Sequence, residues 1–419
     1  MDESSVAGVS GPSRPGVVAV ASRAGIGRTP GGRWQWRPRS GSVLRVPPRD
    51  KVLFTPGPLT TSPTVKQAML RDLGSRDLEF VATVRDVRRR LLQLGAASQQ
   101  DGFEAVLIQG SGTFGVESVV SSALPGRGRL LALVNGAYGE RIARLARVHG
   151  VPVREERRAE DTAFTAAEVA AILAAEPEVT HIAIVHCETT TGLMNPIEAV
   201  ADVVRTAGRR LVVDSMSAFG AVPVDLCRLQ ADFLVSSSNK CIEGVPGFAF
   251  VLARRDALLA AEGNARTLSL DLCAQWRGLE ADGQFRFTPP VQAVLAFARA
   301  LDELDQEGGV AARARRYRDN QRVLLDGMRA LGFRSYLPAA VQGPIIATFR
   351  YPGDPRFQFA EFYARLSAQG FVIYPGKLTQ QPCFRIGNIG RIGTAEVEAL
   401  LAAIRATAST MGFDPAAAP

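Results

Sequence analysis

The chain has 419 residues, 46% of them hydrophobic and 21% charged, with a formal net charge of +8, which is length enough to bury a large core in one or two domains. Eight arginines and three acids in residues 1–50 supply +5 of that charge; the basicity therefore marks a tail, and a nucleic-acid-binding body is not expected. No apolar run reaches the 18 residues of a membrane-spanning helix, and five cysteines and three histidines without paired spacing exclude a zinc-type site and a disulfide framework.

Residues 1–50 mix Gly, Pro, Ser and Arg without periodicity and read as a disordered basic tail. The ordered body begins at "KVLFTPGPLTTSPTV" (51–65), whose prolines and glycine demand an extended arm. A helix is expected over Pro63–Leu73. Strands and helices then alternate: a strand at 104–110, a helix from Thr113, a strand at 129–136, and a helix over "YGERIARLARVHG" closed by Gly150. A strand at 179–188, a helix from Pro196 to Gly208, and strands at 209–217, 231–240 and 247–255 follow. Strands this apolar, separated by helices, imply α/β architecture with a largely parallel sheet covered on both faces. A long helical stretch over 290–331, broken near Gly308 and Gly309, leads to "PIIATFRY", a helix over Phe359–Gln369, "FVIYPGK", "CFRIGNIG" and a last helix over Ala395–Met411. The boundaries expected are an arm over 51–65, a large domain to 305 and a small α+β domain over 306–412. The cysteine pattern suits a reducing, cytoplasmic setting.

Ligands of such sheets bind at the carboxyl ends of the strands, and four features fall there. In "QGSGTFGVES" a strand runs into glycines before a helix, so backbone N–H groups with the Ser111 and Thr113 hydroxyls make a phosphate cradle; Gly-Ser-Gly also makes ordinary turns. Asp214 ends "RRLVVD" as a helix cap or as a charge aimed at a ligand. Thr189 to Thr191 lie in "HCETTTG". Lys240 lies in "SSSNKCIEGVPG", and the chain holds only four lysines, Lys51, Lys66, Lys240 and Lys377, against 45 arginines. Arginine stays protonated and cannot serve as an amine nucleophile, so a retained lysine at a strand end is a candidate for covalent work. Amine, carboxylate and cradle together match the needs of pyridoxal 5′-phosphate: a Schiff-base partner, a counter-charge for the ring nitrogen and a phosphate seat.

The segments "LFTPGPLTTSPTVKQAML", "LIQGSGTFGVES", "VNGAYGER", "HCETTTGLMNPI", "VDSMSAFG", "SSSNKCIEGVPGFAFV", "RFTPP" and "FVIYPGKLTQQPCFRIGNIG" resemble, in order, the 2-aminoethylphosphonate–pyruvate aminotransferases. These are class V members of the fold type I pyridoxal-phosphate enzymes, and the likeness spans roughly residues 51 to 408. It implies that Lys240 is the Schiff-base lysine and that Asp214 pairs with the ring nitrogen. By the same resemblance Ser111, Gly112 and Thr113 hold the phosphate, with Thr189 hydrogen-bonding near the ring oxygen, Tyr138 stacked on the ring and Asn239 among the cofactor-binding residues. Thr288 would reach a phosphate across a homodimer with shared sites, and Arg385 would bind the substrate carboxylate through its planar fork. Arg76, Arg286 and Lys377 are open candidates for the rest of the phosphonate pocket, to be discarded if they lie at the surface. Relatives often read D-A-M-S-S-F-G and N-K-C-I-Q-G where this chain has Ser215 and Glu243. The activity implied is amino transfer from 2-aminoethylphosphonate to pyruvate; an alanine– or serine–glyoxylate aminotransferase, or a lyase on a related aminophosphonate, is the alternative.

Overall fold

The computed structural model describes residues 50–378 and 381–418; the tail expected over 1–50 lies outside them except for Asp50. Seven strands make the main sheet: β1 (Phe103–Gln109), β2 (Leu130–Val134), β3 (Val153–Arg157), β4 (His181–Val185), β5 (Arg210–Asp214), β6 (Phe233–Ser237) and β7 (Phe248–Arg254). Their spatial order is β1-β7-β6-β5-β4-β2-β3. The run from β6 to β3 is parallel, and β7 alone runs antiparallel to both its neighbours. Strands β2, β4 and β6 are buried along their whole length, as a sheet covered on both faces requires. Sequence reasoning passed over β3 because its "VREER" has no apolar run; charged residues of this kind suit an edge strand.

Helices cover this sheet. The first, α1 (Leu78–Leu94), is capped by Asp77, whose carboxylate accepts the Glu79 N–H, and buries Phe80, Val84, Val87 and Leu91. It was missed in the sequence although its apolar residues recur at helical spacing. The helix expected over 63–73 is shorter: Pro63–Gln67 is followed by one tight turn, Ala68–Leu70, and with Met69 and Leu70 exposed no apolar face holds a further turn. Next come α2 (Gly112–Ala123) and α3 (Ala137–Val148), which carry the site. The long stretch is broken as expected, into α4 (Val291–Glu307) and α5 (Gly309–Ala330), at Gly308 with φ of +106°, a conformation that favours glycine.

Beyond α5 a three-stranded antiparallel sheet forms from β8 (Ile346–Arg350), β9 (Tyr374–Pro375) and β10 (Cys383–Gly387) in the order β8-β10-β9. Helices α6 (Phe359–Ala368) and α7 (Thr394–Met411) cover it. The arm joins this region: Val52 and Leu53 pair in parallel with Phe371 and Val372, and the Gly387 N–H donates to the Phe54 carbonyl at 3.0 Å. The described residues form one compact unit with two main apolar clusters. One surrounds the seven-stranded sheet and α4, and the other gathers Phe54, Leu324, Phe349, Phe384 and Leu400 around the smaller sheet. We propose the division into a large and a small domain near residue 305, where helices of the two clusters meet.

Candidate active site

The register places the chemistry. Asp214 pairs with Val185 on one side and Val235 on the other, while Phe248 pairs with Gln109 and Ala249 with Ser237. The ends of β1, β4, β5 and β6 therefore lie along one edge, together with the end of β2. Over that edge lies a cavity of about 180 Å³ lined by residues that include Ser111, Gly112, Thr113, Tyr138, Asp214, Asn239 and Lys240. Seven of the residues singled out in the sequence thus meet around one space.

Lys240 is half-buried, and its ammonium donates to the carbonyl of Pro56 in the arm. Burial pushes that ammonium below the usual lysine value, against the pull of Tyr138, Cys241 and Asp214, because a charge removed from water is disfavoured. Asp214 is 6% exposed and accepts one hydrogen bond, from the Met216 N–H at 3.0 Å. Among the described residues it has no cationic partner in contact, and burial raises its carboxyl to about 6.

Opposite these groups, Ser111 stands at the N-cap of α2 and makes no side-chain cap bond, so the first N–H groups of the helix open toward the cavity lining. Arg141 on α3 joins them. Its guanidinium donates to the Thr113 hydroxyl at 3.2 Å, lies 4.8 Å from the centre of the Tyr138 ring, and forms no ion pair among the described residues. Helix α3 is itself fixed by a buried acid: Glu188 accepts from the N–H groups of Tyr138, Gly139 and Thr190 and from the Thr190 hydroxyl, at 2.7 to 3.3 Å. Burial raises its carboxyl despite those bonds.

Arg385 does not line the cavity; it approaches through Thr189 and Tyr138. It is 2% exposed, donates through Nη1 to the Thr189 carbonyl at 2.7 Å and through Nε to the Pro375 carbonyl at 3.0 Å, and pairs with no carboxylate among the described residues. Thr189 also hydrogen-bonds Tyr138 through its side chain. Lys377 is exposed, yet its ammonium donates to the Tyr138 hydroxyl at 3.3 Å; surface placement is too coarse a reason to discard it, because the mouth of a site is itself surface. Arg76 is exposed. Arg286 donates to the Leu268 carbonyl and covers Phe287, so neither of these arginines is placed at the cavity. Thr288 is exposed and offers its carbonyl to Gln109, also away from the lining.

Comparison with known proteins gives these residues a lineage. The sequence matches the family Aminotransferase class-V over residues 44–406. The chain belongs to the class-V aminotransferases. It is 54% identical over 358 residues to the 2-aminoethylphosphonate–pyruvate transaminase of Aeromonas hydrophila, covering 85% of this chain and 94% of that one. It is 51% identical over 358 residues to the transaminase of that name from Klebsiella pneumoniae, covering 85% and 97%. Among solved structures, pyridoxamine-pyruvate aminotransferase from Mesorhizobium loti shares the fold, with a TM-score of 0.80, 23% identity, and coverage of 87% of this chain and 94% of that one.

In this class-V aminotransferase, sequence reasoning missed Arg141, Glu188 and the Pro56 carbonyl. Arg141 falls inside the quoted "VNGAYGER", one helical turn after Tyr138, and i, i+3 residues share a helix face; that spacing was the available signal. Glu188 precedes the threonines already singled out. Nothing local to Pro56 announces a backbone contact 184 residues away.

Proposed function

We propose that this class-V aminotransferase moves the amino group of 2-aminoethylphosphonate to pyruvate, giving phosphonoacetaldehyde and L-alanine, with pyridoxal 5′-phosphate in the cavity of Lys240. The carrying observation is that a buried carboxylate with no cation in contact among the described residues, an amine with a depressed pKa and an uncapped helix N-terminus share one cavity. That donor set fits the cofactor: Asp214 would face the ring nitrogen, Ser111, Gly112, Thr113 and Arg141 the phosphate, Tyr138, Thr189 and Asn239 the ring and its oxygen. The choice of substrates rests on relatives of that name at half identity over 85% of the chain.

When bound, the cofactor supplies an aldehyde that takes up amino groups and a ring that draws electrons from the bond to be broken. The chain's own groups do the rest. Lys240 Nζ, held toward its neutral form by burial, takes the proton from the carbon that bears the donor's amino group and returns one to the carbonyl carbon of pyruvate. Asp214 keeps a positive charge favourable at the cavity floor. Arg385, buried and paired with no carboxylate among the described residues, binds the acidic group of either substrate with its unused donors. Thr288, exposed beside the exposed ring of Phe287, supports a homodimer in which this residue serves the partner's site. A cysteine desulfurase needs a mobile thiolate, and Cys383 is instead buried within β10 with its thiol raised by burial.

An absorbance scan of the purified protein, then titration with 2-aminoethylphosphonate and assay of alanine formed from pyruvate, tests the reading. The expected result is a bound chromophore that changes on addition of the donor, alanine production, and loss of both in Lys240→Ala. Faster transfer from alanine or serine to glyoxylate than from 2-aminoethylphosphonate to pyruvate would place the chain with the glyoxylate enzymes instead.

A further inference from the structure

Lysine is scarce in this chain, and the four lysines divide cleanly. Lys51 binds a serine near the surface and Lys66 an exposed aspartate, whereas Lys240 lines the cavity with Tyr138 and Lys377 reaches the Tyr138 hydroxyl from the exposed side. Lys377 follows β9, on the same hairpin that carries Arg385 in β10. The base of the hairpin is closely packed: the Gly376 N–H donates to the Cys383 carbonyl at 2.9 Å, and a side chain at Gly376 would collide with Cys383. The Arg385 Nε grips the Pro375 carbonyl two residues before Lys377. The two strands joined at that base thus present two cations beside Tyr138 and Thr189, and neither has a carboxylate partner among the described residues. Their field is felt there: burial alone would raise the Tyr138 phenol, but the Thr189 hydrogen bond and the ammonium groups of Lys377 and Lys240 outweigh it and hold the phenol below its usual value.

The two substrates differ in what they ask of such a pair. A carboxylate carries one charge and two oxygens, which a single guanidinium fork satisfies. A phosphonate has three oxygens and, like a phosphate monoester, approaches two charges at neutral pH. A second cation therefore has work only on the phosphonate. An ammonium on a flexible stem suits that task better than a second fixed fork, since it is a compact point charge that can withdraw into water. Resting on the function proposed above, we propose that Lys377 supplies the second positive charge for the dianionic head of the amino donor, and so sets the preference for phosphonate over carboxylate donors, while Arg385 alone serves the carboxylate acceptor.

The test uses full-length holoenzyme as wild type, Lys377→Met and Lys377→Arg, with 2-aminoethylphosphonate and its carboxylate counterpart β-alanine as donors and pyruvate as acceptor. Donor binding is read both from steady-state KM and from titration of the bound chromophore without acceptor. In Lys377→Met the KM and titration midpoint for 2-aminoethylphosphonate should rise about tenfold or more, the scale of a charge-assisted hydrogen bond. The pyruvate KM should stay within about twofold, the preference over β-alanine should fall by the same factor as donor affinity, and Lys377→Arg, which keeps the charge but not the compact head, should recover part of the loss. An unchanged midpoint for 2-aminoethylphosphonate in Lys377→Met, or an equal rise in the pyruvate KM, overturns the assignment while leaving the proposed function intact. Absence of 2-aminoethylphosphonate turnover in the wild type overturns that function and the assignment together.

Discussion

The ammonium of Lys240 rests on the carbonyl of Pro56, and the residue after that proline leaves it no spare room. A Cβ built on Gly57 would lie 2.5 Å from Lys240 Nζ and 3.0 Å from its Cδ and Cε, at a φ of +116°. The arm and the amine are therefore fitted to each other, and glycine is the residue that permits it.

Gly57→Ala should displace the amine without unfolding the chain. Misplacement by about 1 Å can cost on the order of 10²-fold in rate, and a side chain at this φ adds strain of about 1–3 kcal/mol. We expect kcat to fall by about that rate factor while the far-ultraviolet circular dichroism is retained; a variant with wild-type kcat would show that the contact is idle.

With the proposed role of Asp214 opposite the ring nitrogen, its titration should set a pH limit on cofactor retention. Its carboxyl is raised by burial to about 6, so in the cofactor-free protein it is neutral below that pH and cannot offset a cationic ring nitrogen. Affinity for pyridoxal 5′-phosphate should fall as pH drops through 6, and Asp214→Asn should be weak at every pH with that step removed. Fluorescence titration of the cofactor-free protein between pH 5 and 8 reads both.

Stability should show a separate pH signature. Burial pushes His181 down to about 4, aided by Arg210, and burial does the same to His186; an unfolded chain titrates them near 6.5. A depressed folded value means that the contribution is full above pH 6.5 and is lost as pH falls toward 4, worth about 3 kcal/mol for each histidine. In the cofactor-free protein Asp214 works with the opposite sign, its contribution being present below its unfolded value and lost as pH rises through 6. The urea midpoint should fall from pH 6.5 to 4.5, less steeply in His186→Gln and more steeply in Asp214→Asn.

Glu243 anchors the loop that follows Lys240. It is 3% exposed, accepts from the Tyr317 hydroxyl at 2.6 Å and from Arg316 at 2.7 Å, and faces Arg313 at 3.5 Å. Removing one member of a buried charged set costs about 3–5 kcal/mol. Glu243→Ala should lose about that in urea unfolding, and Glu243→Gln, which keeps an acceptor, should lose less.

The alternation of apolar strands with helices was legible because burial on both faces leaves continuous runs such as "HIAIV" and "FLVSS". So were the strand-end residues Asp214 and Lys240, whose types are costly to bury without a use. Strand β3 and helix α1 were not read, the first because an edge strand tolerates charge and the second because its apolar residues are interleaved with arginines. Arg141 stood unrecognised in a chain full of arginine, where only its place in the cavity lining marks it. The antiparallel course of β7 is equally invisible in "FAFVLAR", since direction in a sheet is a matter of the connection and not of composition.

The grip of Arg385 on the Thr189 carbonyl spans 196 residues, and the arm that steadies Lys240 is made 184 residues before it. As the ribosome delivers the chain, the amine emerges long before the guanidinium that would recognise an anion beside it. A copy that stops short of β10 therefore carries Lys240 and the arm that meets it but lacks the Arg385 guanidinium.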